Sequence, residues 1–389
     1  MLQEDPSGLD FSNMAPLSGE KAEVAMRELL SSRNWESDLA KLVPLEAAKS
    51  LVERWQQVQH ASDFQSEVVK PFLDHLMSAT TGGVTWNSRD GGLDQGMLFL
   101  SNHRDIVLDP SLINVALMEA ERGSTEIGIG SNLLSSDWIR DLVRLNRCFV
   151  VHRSGSMREK YMHSMRTASY IRHVIEKEVP VWLAHREGRA KDGVDRTSPA
   201  LVRTLSNGNN PEIWNALQVV PVSISYEWDP CDSLKVHEVL SVAKHGSYTK
   251  KPGEDELSMW RGMIGQKGRV HLTFHGIMPW ASENMSERPE RAMAASIDRK
   301  LLGGMKIWPN QRLAAESLGL ANAICDLGPE VNDHDVTAFE TRMRQVTQEL
   351  NVLGWSKEEG QEMWCKVISA PLVDRASHLE EVGHGNGSG

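Results

Sequence analysis

Apolar residues recur along the chain in two rhythms. Up to residue 80 they fall at helical spacing: Val24, Leu29 and Leu30 in one stretch, then Leu45, Leu51, Val52 and Trp55 in another. The spacing predicts helices over 20–32, 44–60 and 62–78. A Gly-rich polar stretch, TTGGVTWNSRDGGLDQG at 80–96, follows, with room for a short strand at 84–86 and a turn. From residue 97 the rhythm changes to short apolar runs. MLFLSN (97–102), IGIG (127–130), CFVVH (148–152), VPVWLAH (179–185), LQVVPVSISY (217–226) and GRVHLTFHG (268–276) read as strands. Between them, 110–122, 133–145, 157–178 and 196–206 read as helices. Past Pro279 helical spacing returns over 286–303, 309–326, 334–352 and 356–370.

Strands alternating with helices predict an α/β fold: a mixed, largely parallel sheet flanked by helices, with helical N- and C-terminal regions. The chain of 389 residues exceeds what one core usually holds. The expected division is a helical region at 1–80, an α/β domain at 81–280, a helical region at 281–380 and a disordered tail at 381–389.

Composition narrows the class. At 40% hydrophobic and 24% charged the chain is ordinary globular protein. Cys148, Cys231, Cys325 and Cys365 have neither zinc nor redox spacing, so reduced thiols in a cytosolic protein are expected. The start, MLQEDPSGLD, lacks the basic and apolar regions of a secretory signal. No stretch approaches the roughly 20 apolar residues of a membrane span. Any contact with lipid is therefore expected to be peripheral.

The net charge of −11 is unevenly spread. Trp138 to Arg203 holds 14 Lys and Arg against 7 Asp and Glu, while the remainder holds 28 against 46. A basic segment in an acidic protein points to an anionic ligand. The competing reading is a solvated helix face.

The stretch FLSNHRDIVLDPSLIN (99–114) carries the densest chemistry. MLFL ends as a buried strand. Asp109 is placed to cap a helix whose first position is Pro110. His103 then lies on a strand-to-helix connection, where ligands of open α/β sheets commonly bind. With a carboxylate nearby, its imidazole can serve as a general base. Both Asp105 and Asp109 are candidates for that carboxylate.

Four blocks in order give a resemblance. SNHRDIVLD resembles the histidine–aspartate block of the glycerolipid acyltransferases that acylate glycerol 3-phosphate and lysophosphatidate. CFVVHR (148–153), AHREGRAKDG (184–193) and VVPVSISY (219–226) are similar to that family's later blocks. The resemblance covers roughly 97–226. It departs in two places: the family usually has four residues between histidine and aspartate, whereas Asp109 follows His103 by one more, and EGR is one residue short of the usual third block. A divergent branch is implied, with Asp109 favoured over Asp105 because the loop can absorb the extra residue.

The resemblance implies an O-acyltransferase of phospholipid biosynthesis. A fatty acyl group would move from acyl-CoA or acyl carrier protein to a hydroxyl of a lysophospholipid or glycerol phosphate. His103 would take the hydroxyl proton and Asp109 would orient His103. No Gly-x-Ser-x-Gly elbow is present, and a thioester needs no enzyme nucleophile. Backbone N–H groups at the start of the 110–122 helix are candidates for holding the oxyanion. Arg153, Arg186 and Arg189 would bind the acceptor's anion, Gly188 would let the backbone approach it, and Glu187 would orient an arginine or the acceptor hydroxyls. No cofactor, no metal and no nucleic acid is expected, and the protein is expected in the cytoplasm, peripheral to a membrane surface. Two alternatives remain: a metal-dependent phosphoesterase using His103, Asp105 and Asp109, and a non-catalytic lipid-binding protein of the same fold.

Overall fold

The computed structural model describes residues 10–134, 136–280, 287–324 and 327–385. Helices α1 (Gly19–Ser32), α2 (Trp35–Leu39), α3 (Leu45–Gln57) and α4 (Lys70–Thr80) precede the sheet. Then follow β1 (Val84–Ser88), α5 (Gly92–Gln95), β2 (Leu98–Ser101), α6 (Leu108–Glu119), β3 (Glu126–Gly130), α7 (Asp137–Leu145) and β4 (Cys148–Val151). The chain continues through α8 (Met157–Ile175), β5 (Val181–Ala184), α9 (Pro199–Leu205), α10 (Pro211–Ala216), β6 (Val219–Tyr226), α11 (Asp232–His245), α12 (Glu254–Ile264) and β7 (Val270–Phe274). It closes with α13 (Pro289–Gly304), α14 (Pro309–Ser317), α15 (Asp333–Val352) and α16 (Lys357–Gly385).

The seven strands form one sheet in the order β1-β7-β6-β2-β5-β3-β4. Neighbours are parallel except β6 and β7, which are antiparallel. This is the mixed, largely parallel α/β sheet the strand pattern predicts. Strands β2, β4 and β5 read as apolar runs because helices cover both faces, whereas the edge strand β1 is largely exposed. In β2, Leu98 and Leu100 face the layer holding α8, α9 and α13, while Phe99 faces α6. That is the two-residue period of a strand.

The sequence pattern misses α11 and α12, which lie between β6 and β7. In α11 the buried positions include Asp232, Ser233 and Lys235, so no apolar stripe marks its inner face. Those polar groups hold it in place instead. Asp232 accepts from Arg342 Nε at 3.1 Å and Trp364 Nε1 at 2.8 Å, tying α11 to the C-terminal helices. The helix expected over 309–326 stops at Ser317, because Gly319 takes a left-handed φ of +75°. Residues 325–326, Cys325 included, lie outside the described residues. The helix expected over 62–78 is a π-turn at Gln65–Val69 feeding α4, whose Pro71 has no N–H to continue the ladder. At the other end α16 runs through Pro371 to Gly385, so backbone helix enters the tail expected to be disordered; 386–389 lie outside the described residues.

Candidate active site

Strands β2 and β5 end together, with Ser101 paired to Ala184 on one side and, on the other, to Val222 of β6, which runs on to Tyr226. The next residue, Asn102, extends the ladder with its side chain. Its Nδ2 donates to the Ile224 carbonyl at 3.0 Å, and its Oδ1 accepts from the Ile224 N–H at 2.8 Å. The loop that carries His103 is thereby fastened to β6.

The loop closes on two carboxylates with different tasks. Asp105 Oδ1 accepts from the N–H groups of Val107 and Leu108 at 2.9 and 2.8 Å, the work of a helix cap. Asp109 was expected at the cap; it lies instead inside the first turn of α6, fully buried, and points back at the loop. The helix starts earlier than expected because Asp105 satisfies its first amides. Asp109 Oδ2 accepts from His103 Nδ1 at 2.9 Å, the Arg104 N–H at 2.7 Å and the Asp105 N–H at 3.0 Å. Asp109 Oδ1 accepts from the Tyr226 hydroxyl at 2.9 Å. Three successive residues wrap one oxygen, which is how the longer His103–Asp109 interval still closes a pair.

Facing a carboxylate, His103 Nδ1 carries the ring proton, which leaves Nε2 with a lone pair. Nε2 makes no hydrogen bond among the described residues. The ring packs against Trp182, with centroids 6.1 Å apart, and its side chain is 12% exposed. Burial and the Asp109 carboxylate push the Tyr226 hydroxyl well above its ordinary value, so it stays a donor. Burial, then Asp109, also raises the Asp105 carboxyl.

A cleft of about 460 Å³ opens at this edge of the sheet, lined by His103, Arg153, Arg186, Glu187, Gly188 and Arg189 among others. Asp109 stands behind His103. The three arginines are not equivalent. Arg189 is 7% exposed, and its Nη1 is buried without a hydrogen-bond partner. Burying a guanidinium nitrogen without a partner is costly, and Arg189 carries its charge into the wall of the cleft. Arg153 makes no ion pair among the described residues. Arg186 Nη1 lies 3.8 Å from Asp195 Oδ1 and donates to the Val194 carbonyl at 3.4 Å. The nearby lysines are taken: Lys191 pairs with Glu238, and Lys250 with Asp255.

Two expectations need correction, those on Glu187 as an arginine's partner and on the amides that open α6. Glu187 is exposed on the lip and pairs with no arginine among the described residues; the carboxylate beside Arg186 is Asp195. Gly188 has a φ of +70°, which favours glycine, and a Cβ there would meet no protein atom within 4 Å, so its free side faces open space. The amides of Arg104, Asp105, Val107 and Leu108 at the start of α6 are already held by Asp109 and Asp105, which takes them out of the candidates for an oxyanion hole.

A second histidine–aspartate pair adjoins the first and was not legible as one. His185 Nε2 meets Asp195 Oδ1 at 2.7 Å, and Asp195 Oδ2 accepts the His103 N–H at 2.8 Å. His185 Nδ1 lies 3.0 Å from Thr197 Oγ1, whose own proton goes to Asp298 Oδ1 at 2.6 Å. Both ring nitrogens of His185 are therefore engaged. Burial alone would raise the Asp195 carboxyl; His185, Arg104 and the His103 N–H together more than offset it, and the carboxyl sits below its usual range. On the other flank, Lys235 donates to the Arg104 carbonyl at 2.8 Å and to Asp229. Burial would raise Asp229 too, but Lys235 and Arg104 together hold it at about 2. The signals that could have found these groups are the aspartates of AKDGVD and YEWDP, each shortly past a strand end.

Among the described residues no group of three His, Cys, Asp or Glu side chains is arranged to hold a metal ion. Asp105 and Asp109 face backbone amides rather than the cleft, so His103, Asp105 and Asp109 do not form a ligand set.

No family model matches the chain, and no curated protein matches it. Among solved structures, the crystal structure of the 1-acyl-sn-glycerophosphate (LPA) acyltransferase PlsC from Thermotoga maritima is similar, with 13% identity and a TM-score of 0.35. The similarity covers 72% of this chain and 97% of that one. The neighbour is an acyltransferase, at a distant level of likeness.

Proposed function

We propose that the protein is an O-acyltransferase of phospholipid biosynthesis, moving a fatty acyl group from acyl-CoA or acyl carrier protein to a hydroxyl of a lysophospholipid or glycerol phosphate. The observation that carries this reading is an imidazole in the cleft with Nε2 unengaged, its other nitrogen on a buried carboxylate and a partnerless arginine nitrogen in the same cleft. His103 Nε2 takes the acceptor's hydroxyl proton as that oxygen attacks the thioester carbonyl. The tetrahedral intermediate collapses, the C–S bond breaks, and the thiolate recovers the proton from the imidazolium. Asp109 holds the ring's orientation and stabilises its charged form. Arg189 and Arg153 bind the acceptor's anion, with Arg186 held beside them by Asp195. The wall formed by Ile106, Val107, Ile127, Ile129 and Ile139 suits the acyl chain.

Among the described residues no helix is long and apolar enough to cross a membrane. The reading includes work at a cytoplasmic membrane surface, reached peripherally, because the acyl acceptors it names are lipids or their precursors. The test is a panel of acyl acceptors, with and without a phosphate, incubated with labelled acyl thioester and read by product mass. Ester products of the phosphate-bearing alcohols are expected. An amide product, or equal transfer to alcohols with no anion, would overturn the assignment.

A further inference from the structure

The first half of α8 projects from the body. Residues 154–162 are all exposed, and Met157, Tyr161 and Met162 are 84%, 61% and 59% exposed. With Met165 they share one side of the helix, spaced by four, one and three residues. Arg158 sits within that apolar face, and Lys160 flanks it. The acidic residue of this projection, Glu159, is folded into the helix cap: its Oε2 accepts from the Ser156 N–H and hydroxyl, both at 2.7 Å. The capping box keeps the projecting turns helical. Arg153, three residues before the cap, lines the catalytic cleft, so the projection stands at its mouth.

Exposed apolar side chains interleaved with basic ones on a convex helix match a lipid headgroup layer. The net charge of −11 would repel an anionic surface as a whole, so approach by this face is selected. A second copy is a poor occupant, because a two-fold contact would set Arg158 and Lys160 against themselves.

We propose that the N-terminal half of α8 seats in the headgroup layer of an anionic bilayer. Met157, Tyr161 and Met162 enter the acyl boundary and Arg158 and Lys160 meet lipid phosphates, so that the cleft opens onto the lipid surface. What the cleft does there rests on the acyl-transfer reading; the surface contact does not.

The test is co-flotation of the full chain with vesicles of phosphatidylcholine alone or mixed equally with phosphatidylglycerol. Wild type is expected to float with the mixed vesicles only. Met157→Ser/Tyr161→Ser/Met162→Ser should lower that binding about tenfold or more, from the lost apolar insertion. Arg158→Glu should remove most of its salt dependence. Val352→Ser/Leu353→Ser, a pair exposed at the end of α15, should bind as wild type. Unchanged melting temperatures show that the variants fold. Wild type that leaves vesicles unbound, a triple variant that binds normally, or equal loss in the α15 control would overturn the proposal. So would a self-association abolished by the triple variant in a protein that ignores vesicles. Flotation without acyl transfer would sink the catalytic reading and leave this one standing.

Discussion

His103 and His185 are built from the same parts and differ in what is left open. Each meets an aspartate within 2.9 Å, and the two pairs are joined through Asp195. His185 is fully buried, and both nitrogens are engaged, by Asp195 and Thr197. His103 has one nitrogen engaged and one without a partner among the described residues, at a cleft. A histidine on a carboxylate is thus not yet a site. The pair with a vacant lone pair can accept a proton from something else; the saturated pair can only hold its neighbours in position.

Replacing each histidine by alanine breaks the comparison most directly. His103→Ala is expected to lower the acyl-transfer rate about 10²–10⁴-fold, as loss of a positioned general base does. Unfolding free energy measured in urea should fall by only about 1–2 kcal/mol, because Asp109 keeps the amides of Arg104 and Asp105 and the Tyr226 hydroxyl. An unchanged rate would remove the proposed chemistry. His185→Ala should reverse the pattern. It leaves the Asp195 carboxylate buried without its main partner, and about 3–5 kcal/mol of stability should go. The rate per folded molecule should fall less than in His103→Ala.

His275 sharpens the contrast from another side, being buried without a carboxylate against it. Its Nε2 lies 2.9 Å from Ser223 Oγ, and Ser223 gives its proton to the Leu301 carbonyl, so the ring nitrogen is the donor. Burial pushes this imidazole down from 6.5 to about 4. The unfolded chain therefore binds the proton first, and stability falls as pH drops from 6.5 towards 4. The contribution is on the order of 2–3 kcal/mol, and His275→Asn should flatten the denaturation midpoint across that window. The smallest effect belongs to Tyr226→Phe. It removes one of the hydrogen bonds to Asp109 and should cost about 1 kcal/mol of stability, with a few-fold lower rate.

The middle of the sheet was legible because both of its faces are covered, so β2, β4 and β5 are apolar runs with polar residues beyond their ends. The pairing partner of His103 was narrowed to two aspartates, but not their division of labour. Both follow the same histidine within a short loop, and only the path of the backbone decides which oxygen meets the ring. Asp195 and Tyr226 come from loops and strands distant in sequence, and no local spacing links them to His103. Helices α11 and α12 escaped for a different reason: where a helix buries Asp232 and Lys235, the inward side no longer looks apolar.

One oxygen of Asp109 gathers the ring and two amides from residues 103, 104 and 105. The count of residues separating base from acid is therefore a property of the connecting turn, free to lengthen by one as long as those donors still converge. Relatives in which the interval differs again could keep the same chemistry. They would be recognised by what surrounds the carboxylate in space, sooner than by any fixed number of letters between H and D.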